Sequence, residues 1–142
     1  MDRLKYKLFE ILAAAGVFTI GALGYGAIEI LWRGHTHPSM LLAGGIAFFV
    51  IFALNLRHDA ASILLKSIAC ALTIITVELL FGLIFNMLLG MNVWDYSGKK
   101  FNFYGQICFE YALYWLVLST VICAIFTFVL RKVRNRTDRT DS

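Results

Sequence analysis

Four long apolar runs limit what this chain can fold into. They extend from about Leu8 to Trp32, Met40 to Leu56, Leu64 to Gly90 and Gln106 to Leu130, separated by short polar segments. A helix needs roughly 20 predominantly apolar residues to cross the hydrocarbon core of a bilayer, and all four runs reach that length or come close, the second being the shortest. With 60% of its 142 residues hydrophobic and 15% charged, the chain lacks the polar residues that would cover four such helices in water. The expected fold is all-α: an integral-membrane four-helix bundle forming one domain over residues 1–132, followed by a disordered basic and polar tail over 133–142.

Charge placement predicts how the bundle is oriented. Arg3, Lys5 and Lys7 precede the first run, but that run is too long for a signal-peptide core and contains Glu10 and Glu29, so it reads as a retained helix. Four spans divide the loops between two sides. Ten of the 13 Lys and Arg fall with the N-terminus, the second loop (Arg57, Lys66) and the C-terminus, against Arg33, Lys99 and Lys100 opposite. The asymmetry predicts a multi-pass protein of the cell membrane with both termini cytoplasmic. The same placement explains the net charge of +4 as headgroup contact, so no nucleic-acid partner is expected and membrane lipid is. Cys70, Cys108 and Cys123 fall inside apolar runs with no C-x-x-C pair; neither a disulfide nor a metal centre is expected. His35 and His37 form an isolated H-x-H in the first loop, too few ligands for a metal site and more consistent with a surface loop. Nothing in the chain calls for a cofactor.

Carboxylates inside apolar runs mark the candidate site, because burying a charge in lipid is costly and such residues face protein, a ligand or water. On a helix, residues four apart share a face. Glu78, Gly82 and Asn86 then form one polar stripe, and Gln106, Glu110 and Tyr114 a second. The two stripes flank a third loop, Met91 to Gly105, whose rings, Trp94 and Tyr96 among them, suit an interfacial aromatic belt; the alternative is that its polar residues Asp95, Ser97 and Asn102, with Gln106, fold inward as an ordered lid above the stripes. Glu29, near the outer end of the first helix and four residues before Arg33, reads either as an interfacial ion pair with that arginine or as an edge of the same cavity. The substrate-binding set is therefore Glu29, Glu78, Asn86, Trp94, Asp95, Tyr96, Asn102, Gln106, Glu110 and Tyr114. Acidic and amide groups suit a cationic or amine substrate. Glycines at 16, 21, 24 and 26, with Ala43, Gly44, Gly45 and Ala47, give the first two helices small-residue faces that admit close helix neighbours.

The segments V-E-L-L-F-G-L-I-F-N, W-D-Y-S, F-N, G-Q-I-C and Y-W carry a family resemblance. Together they resemble the CmpB-type ABC-transporter permeases, small multi-spanning proteins also written as type IV. The likeness is strongest from Glu78 to about Trp115 and looser in the first half, where it rests on the glycine-rich helix ending at Glu29 and on Arg33, Gly34 and Gly44. A proline- and glycine-rich segment of that family is reduced here to His37, Pro38 and Ser39. The resemblance implies a transport role. No G-x-x-x-x-G-K-[ST] occurs, so P-loop ATP hydrolysis is not expected of this chain by itself. Four helices make a small permease, which points to a homo-oligomer or a heteromeric membrane partner. Two other readings compete with transport: a non-catalytic accessory or sensor subunit of a membrane complex, and an integral-membrane enzyme acting on lipid or peptide with Glu78 or Glu110 as acid or base. The enzyme reading lacks a nucleophile beside a base.

Overall fold

Helix boundaries follow from capping chemistry. His37, with extended backbone, accepts the Ser39 N–H on its Nδ1 at 3.2 Å, and Pro38 fills the first helical position, where a missing N–H costs nothing. The histidine read as part of a surface loop is thus the cap of the second helix. Asp59 and Ser62 are both suited to cap the third helix, and Ser62 does so, accepting from Leu65 N at 3.3 Å. Asp59 instead pairs with Arg134 at 3.0 Å.

The computed structural model describes residues 2–140, apart from the side chains of residues 2, 6 and 137–140. Its elements in order are α1 (Asp2–Arg33), α2 (Pro38–Arg57), α3 (Ile63–Phe81) running on into a π-helical segment (Gly82–Leu88), a two-residue antiparallel hairpin of β1 (Asn102–Phe103) and β2 (Ile107–Cys108), and α4 (Phe109–Thr140). Four helical stretches, Arg3–Arg33, Pro38–Arg57, Ile63–Leu88 and Phe109–Arg136, are long and apolar enough to cross a membrane. The all-α architecture matches the four apolar runs. Residues 133–140, expected to begin a disordered tail, continue α4, since this stretch is rich in Arg and free of Gly and Pro; residues 141 and 142 lie outside the described set.

The bundle turns large apolar side chains outward and buries several polar ones. Leu23, Leu31, Leu72, Val117 and Phe128 are exposed, whereas Ser39, Asn55, Ser67, Glu78, Asn86, Ser119 and Thr127 are buried. Without a hydrophobic drive between helices, close approach and hydrogen bonding hold a bundle together. Close approach is visible where α1 meets α2: a Cβ on Gly21 would stand 2.7 Å from the Gly44 carbonyl oxygen and against Phe48 Cβ, and one on Gly45 would meet the Phe18 ring. The small-residue faces expected to favour partner helices are in good part used within the chain. α3 packs on α4 and on α2, while α1 and α4 stand apart.

A second polar seam runs where α2, α3 and α4 meet. Asn55 Nδ2 donates to the Ile51 carbonyl at 2.9 Å and lies 3.7 Å from the sulfurs of Cys70 and Cys123, which are free and 3.5 Å apart. Lys66, counted from the sequence as a loop charge, is instead 4% exposed and donates to Thr127 Oγ1 at 2.7 Å. No carboxylate lies within ion-pair distance of it among the described residues. A buried ammonium with one neutral acceptor is poorly compensated. Lys66→Met, of similar length, should therefore be neutral or stabilising in a detergent unfolding titration, since Thr127 can turn its hydroxyl to its own helix carbonyl. A loss comparable to that of a core truncation would show that the lysine is a structural requirement.

Candidate functional site

The third loop is pinned to the bundle by one asparagine. Asn86 lies in the π-helical segment, whose wider turn departs from ordinary α-helical spacing. Its Nδ2 donates to the Trp94 carbonyl at 3.0 Å and to Gln106 Oε1 at 2.9 Å, and its Oδ1 accepts the Val93 N–H at 2.6 Å. Gln106 reaches it because Gly82 leaves room: a Cβ on Gly82 would lie 2.5 Å from Gln106 Oε1. Trp94 Nε1 completes the node by donating to the Gln106 carbonyl at 2.9 Å.

Gln106 occupies this place because it is not on a helix. The chain reverses through Tyr104 (φ 51°) and Gly105 (φ 68°), Gln106 N donates to the Phe103 carbonyl at 3.0 Å, and α4 begins only at Phe109. The expected stripe of Gln106, Glu110 and Tyr114 along one helix is thereby corrected. Gln106 joins Asn86 beneath the loop, and Glu110 and Tyr114 remain on α4.

Glu78 is the most enclosed carboxylate. It is 4% exposed, and its two oxygens accept from different elements: Oε1 from the Tyr96 hydroxyl at 2.9 Å and Oε2 from Trp115 Nε1 at 3.0 Å. Loop and α4 are therefore both tied to α3 at this residue. A carboxylate has about four acceptor positions, so two remain open here. The Tyr96 phenol is held well above its usual range by burial and then by the neighbouring Glu78, which keeps it a neutral donor.

Around Glu78 the gap between α1 and α4 forms two adjoining cavities. The outer, of about 400 Å³, is lined by Tyr25, Glu29, Trp32, Arg33, Trp94, Tyr96, Tyr111, Tyr114 and Trp115. All three tryptophans of the chain border it. The inner, of about 190 Å³, is apolar except for Glu78 and Tyr25 and includes Gly24, Ile74 and Ile122. Tyr25, Ile28, Trp115 and Leu118 line both. The rings brace one another: Tyr96 stacks on Tyr111 at 4.6 Å, Tyr25 lies 5.7 Å from Trp115, and Trp32 meets Tyr114 edge-on at 5.9 Å while donating to the Tyr111 hydroxyl at 3.0 Å.

Glu29 is both ion-paired and at the cavity. Arg33 Nη2 meets its Oε2 at 2.9 Å and Thr36 donates to the same oxygen at 3.0 Å, while Arg33 Nη1 donates to the Val93 carbonyl at 2.8 Å. Arg33 Nε is buried without a partner among the described residues. The remaining candidates build the loop instead of facing Glu78. Asp95 is exposed and accepts from the Ser97 N–H at 2.8 Å and hydroxyl at 2.9 Å, which hold its carboxyl below the usual range. Asn102 donates to the Ser97 and Lys99 carbonyls and accepts from Gly105 N. Glu110, in the first turn of α4, pairs with Lys99 at 3.0 Å on the exposed rim, raising the Lys99 pKa. Tyr114 donates weakly to Glu110 at 3.4 Å and turns its ring to the cavity.

Sequence reasoning left Trp115, Tyr111, Tyr25 and Trp32 out of the site. A signal existed: Tyr111, Trp115, Leu118 and Ile122 recur at helical spacing on the α4 face beside the Glu110 stripe, and Tyr25 precedes Glu29 by four.

A family model described as "Putative ABC-transporter type IV" matches residues 14–140. The chain belongs to this family. The match takes in all four long apolar helices, α1 from residue 14 onward, as well as the third loop and both cavities. No curated protein and no solved structure matches the chain. Membership in a type IV ABC-transporter family ties the four helices to membrane transport, and to a membrane complex as the setting.

Proposed function

We propose that this type IV family member is a membrane-spanning transport component, with both termini cytoplasmic, whose outer cavity receives a cationic amine. The observation that carries the reading is the surroundings of Glu78. Its bonded partners are a phenol and an indole, and no basic side chain pairs with it among the described residues. A carboxylate taken out of water is costly until a counter-charge reaches it. Aromatic faces supply the complementary half, because the negative quadrupole of a ring attracts a cation by about 0.5–2 kcal/mol. The rim already uses this chemistry: Lys99 Nζ lies 5.8 Å from the Tyr111 ring centroid. Glu29 and Arg33 offset each other, so the carboxyl on the cavity walls that lacks a basic partner among the described residues is Glu78.

The sequence has no P-loop, so transport driven by ATP would draw on a separate ATPase partner. The test is native mass spectrometry of protein released from lipid nanodiscs. Wild type should retain a cationic amine, and Glu78→Gln, which keeps two acceptor–donor contacts but removes the charge, should lose it. Equal retention by both proteins, or retention of anions only, would refute the reading.

A further inference from the structure

The two cavities differ in chemistry and share four lining residues, Tyr25, Ile28, Trp115 and Leu118. The outer has the Glu29–Arg33 ion pair and aromatic faces, whereas the inner has Glu78 on a wall otherwise made mainly of apolar side chains and the backbone of Gly24. Glu78 stands at the junction, on the wall of the inner cavity and bonded to Tyr96 and Trp115 of the outer one. The α1 and α4 backbones do not pack closely, and aromatic side chains make contacts between them beside the cavities. Leu, Ile and Phe side chains are exposed around the bundle, so a ligand passing between α1 and α4 would come from an apolar surface.

We propose that the ligand is a single-chain cationic amphiphile, an alkylamine or alkylammonium compound, which enters from the side between α1 and α4. This rests on the amine-binding reading above and adds the chain to the head. The head group lies against Glu78 and the tyrosine and tryptophan rings, and the alkyl chain runs along the inner cavity past Gly24 toward Ile122. Charge selects the class: one uncompensated carboxylate neutralises one cation, while a zwitterionic phospholipid would bring its own phosphate and leave Glu78 uncompensated. The inner cavity, at about 190 Å³ the smaller of the two, suits one alkyl chain better than the pair carried by a phospholipid.

Gly24 makes the proposal testable without disturbing the packing. Gly24 borders the inner cavity and a Cβ there meets nothing within 4 Å, so Gly24→Leu adds a side chain at the cavity edge without a clash and replaces the helix-destabilising glycine with a good helix former. Binding of decyltrimethylammonium and of tetramethylammonium would be followed by intrinsic tryptophan fluorescence in nanodiscs, every tryptophan being at the cavity. Partition of the decyl compound into the bilayer is common to wild type and variant and cancels in their ratio. The expected result is that Gly24→Leu weakens decyltrimethylammonium at least about tenfold, several methylenes being displaced, and leaves tetramethylammonium within about twofold. Glu78→Gln should weaken both probes by a similar factor. If Gly24→Leu affects neither probe or both alike while Glu78→Gln still weakens them, the chain site is wrong and the amine site stands. If Glu78→Gln affects neither, the amine site fails and the amphiphile proposal fails with it.

Discussion

Asn86→Ala should cost about 3 kcal/mol or more of stability, because it strands the Val93 N–H, the Trp94 carbonyl and the Gln106 amide, and a buried unpaired polar group costs about 1–3 kcal/mol. The consequences should spread beyond the asparagine. With residues 93, 94 and 106 released, the loop can no longer hold Tyr96 against Glu78, so the truncation should also open the 91–105 segment to proteolysis. Reversible unfolding in detergent, combined with limited proteolysis, measures both effects. A loop that stays protected in Asn86→Ala would mean that the hairpin and the Asp95–Ser97 turn order it unaided.

Gly21→Leu should have an effect of similar size for a different reason. Its first side-chain carbon already meets Phe48 Cβ and the Gly44 backbone, neither of which can swing aside as the end of a flexible side chain would. Overpacking typically costs about 1–3 kcal/mol, and contact with backbone puts this position at the upper end or above it. Separating α1 from α2 also moves Tyr25 off Trp115, so the cavity should change with the packing. The melting temperature in detergent reads the first effect and tryptophan emission the second. For the melting temperature, Gly24→Leu, one turn along the same helix and facing open space, is the control; equal losses of stability at both positions would point to helix propensity or bilayer fit in place of the α1–α2 contact.

The spans were legible because a lipid-crossing helix announces itself by length and uniform apolarity, whereas its neighbours do not. Burial of Glu78 and Asn86 could also be read, since a carboxylate or amide within such a run needs a protein or ligand partner. What escaped the reading was local backbone geometry. Phe101 and Tyr104 take positive φ, which aromatic residues seldom do, and the turn they help to make removes Gln106 from α4. The π-helical segment breaks the i, i+4 rule at the point where Asn86 was counted from Glu78. Glu110 has the spacing of an interior stripe residue, yet its position in the first turn of α4 leaves it at the rim, within reach of Lys99, a pairing between a loop and a helix that periodicity cannot register.

The account centres on an uncompensated carboxylate within an aromatic cavity. Isothermal titration of tetramethylammonium into nanodisc-held wild type and Glu78→Gln tests it most directly. The prediction is saturable binding of one cation per chain, weakened at least about tenfold by the amide, as for removal of one partner from a desolvated charge pair. Equal affinities for the two proteins, or no saturable binding to wild type, would contradict it.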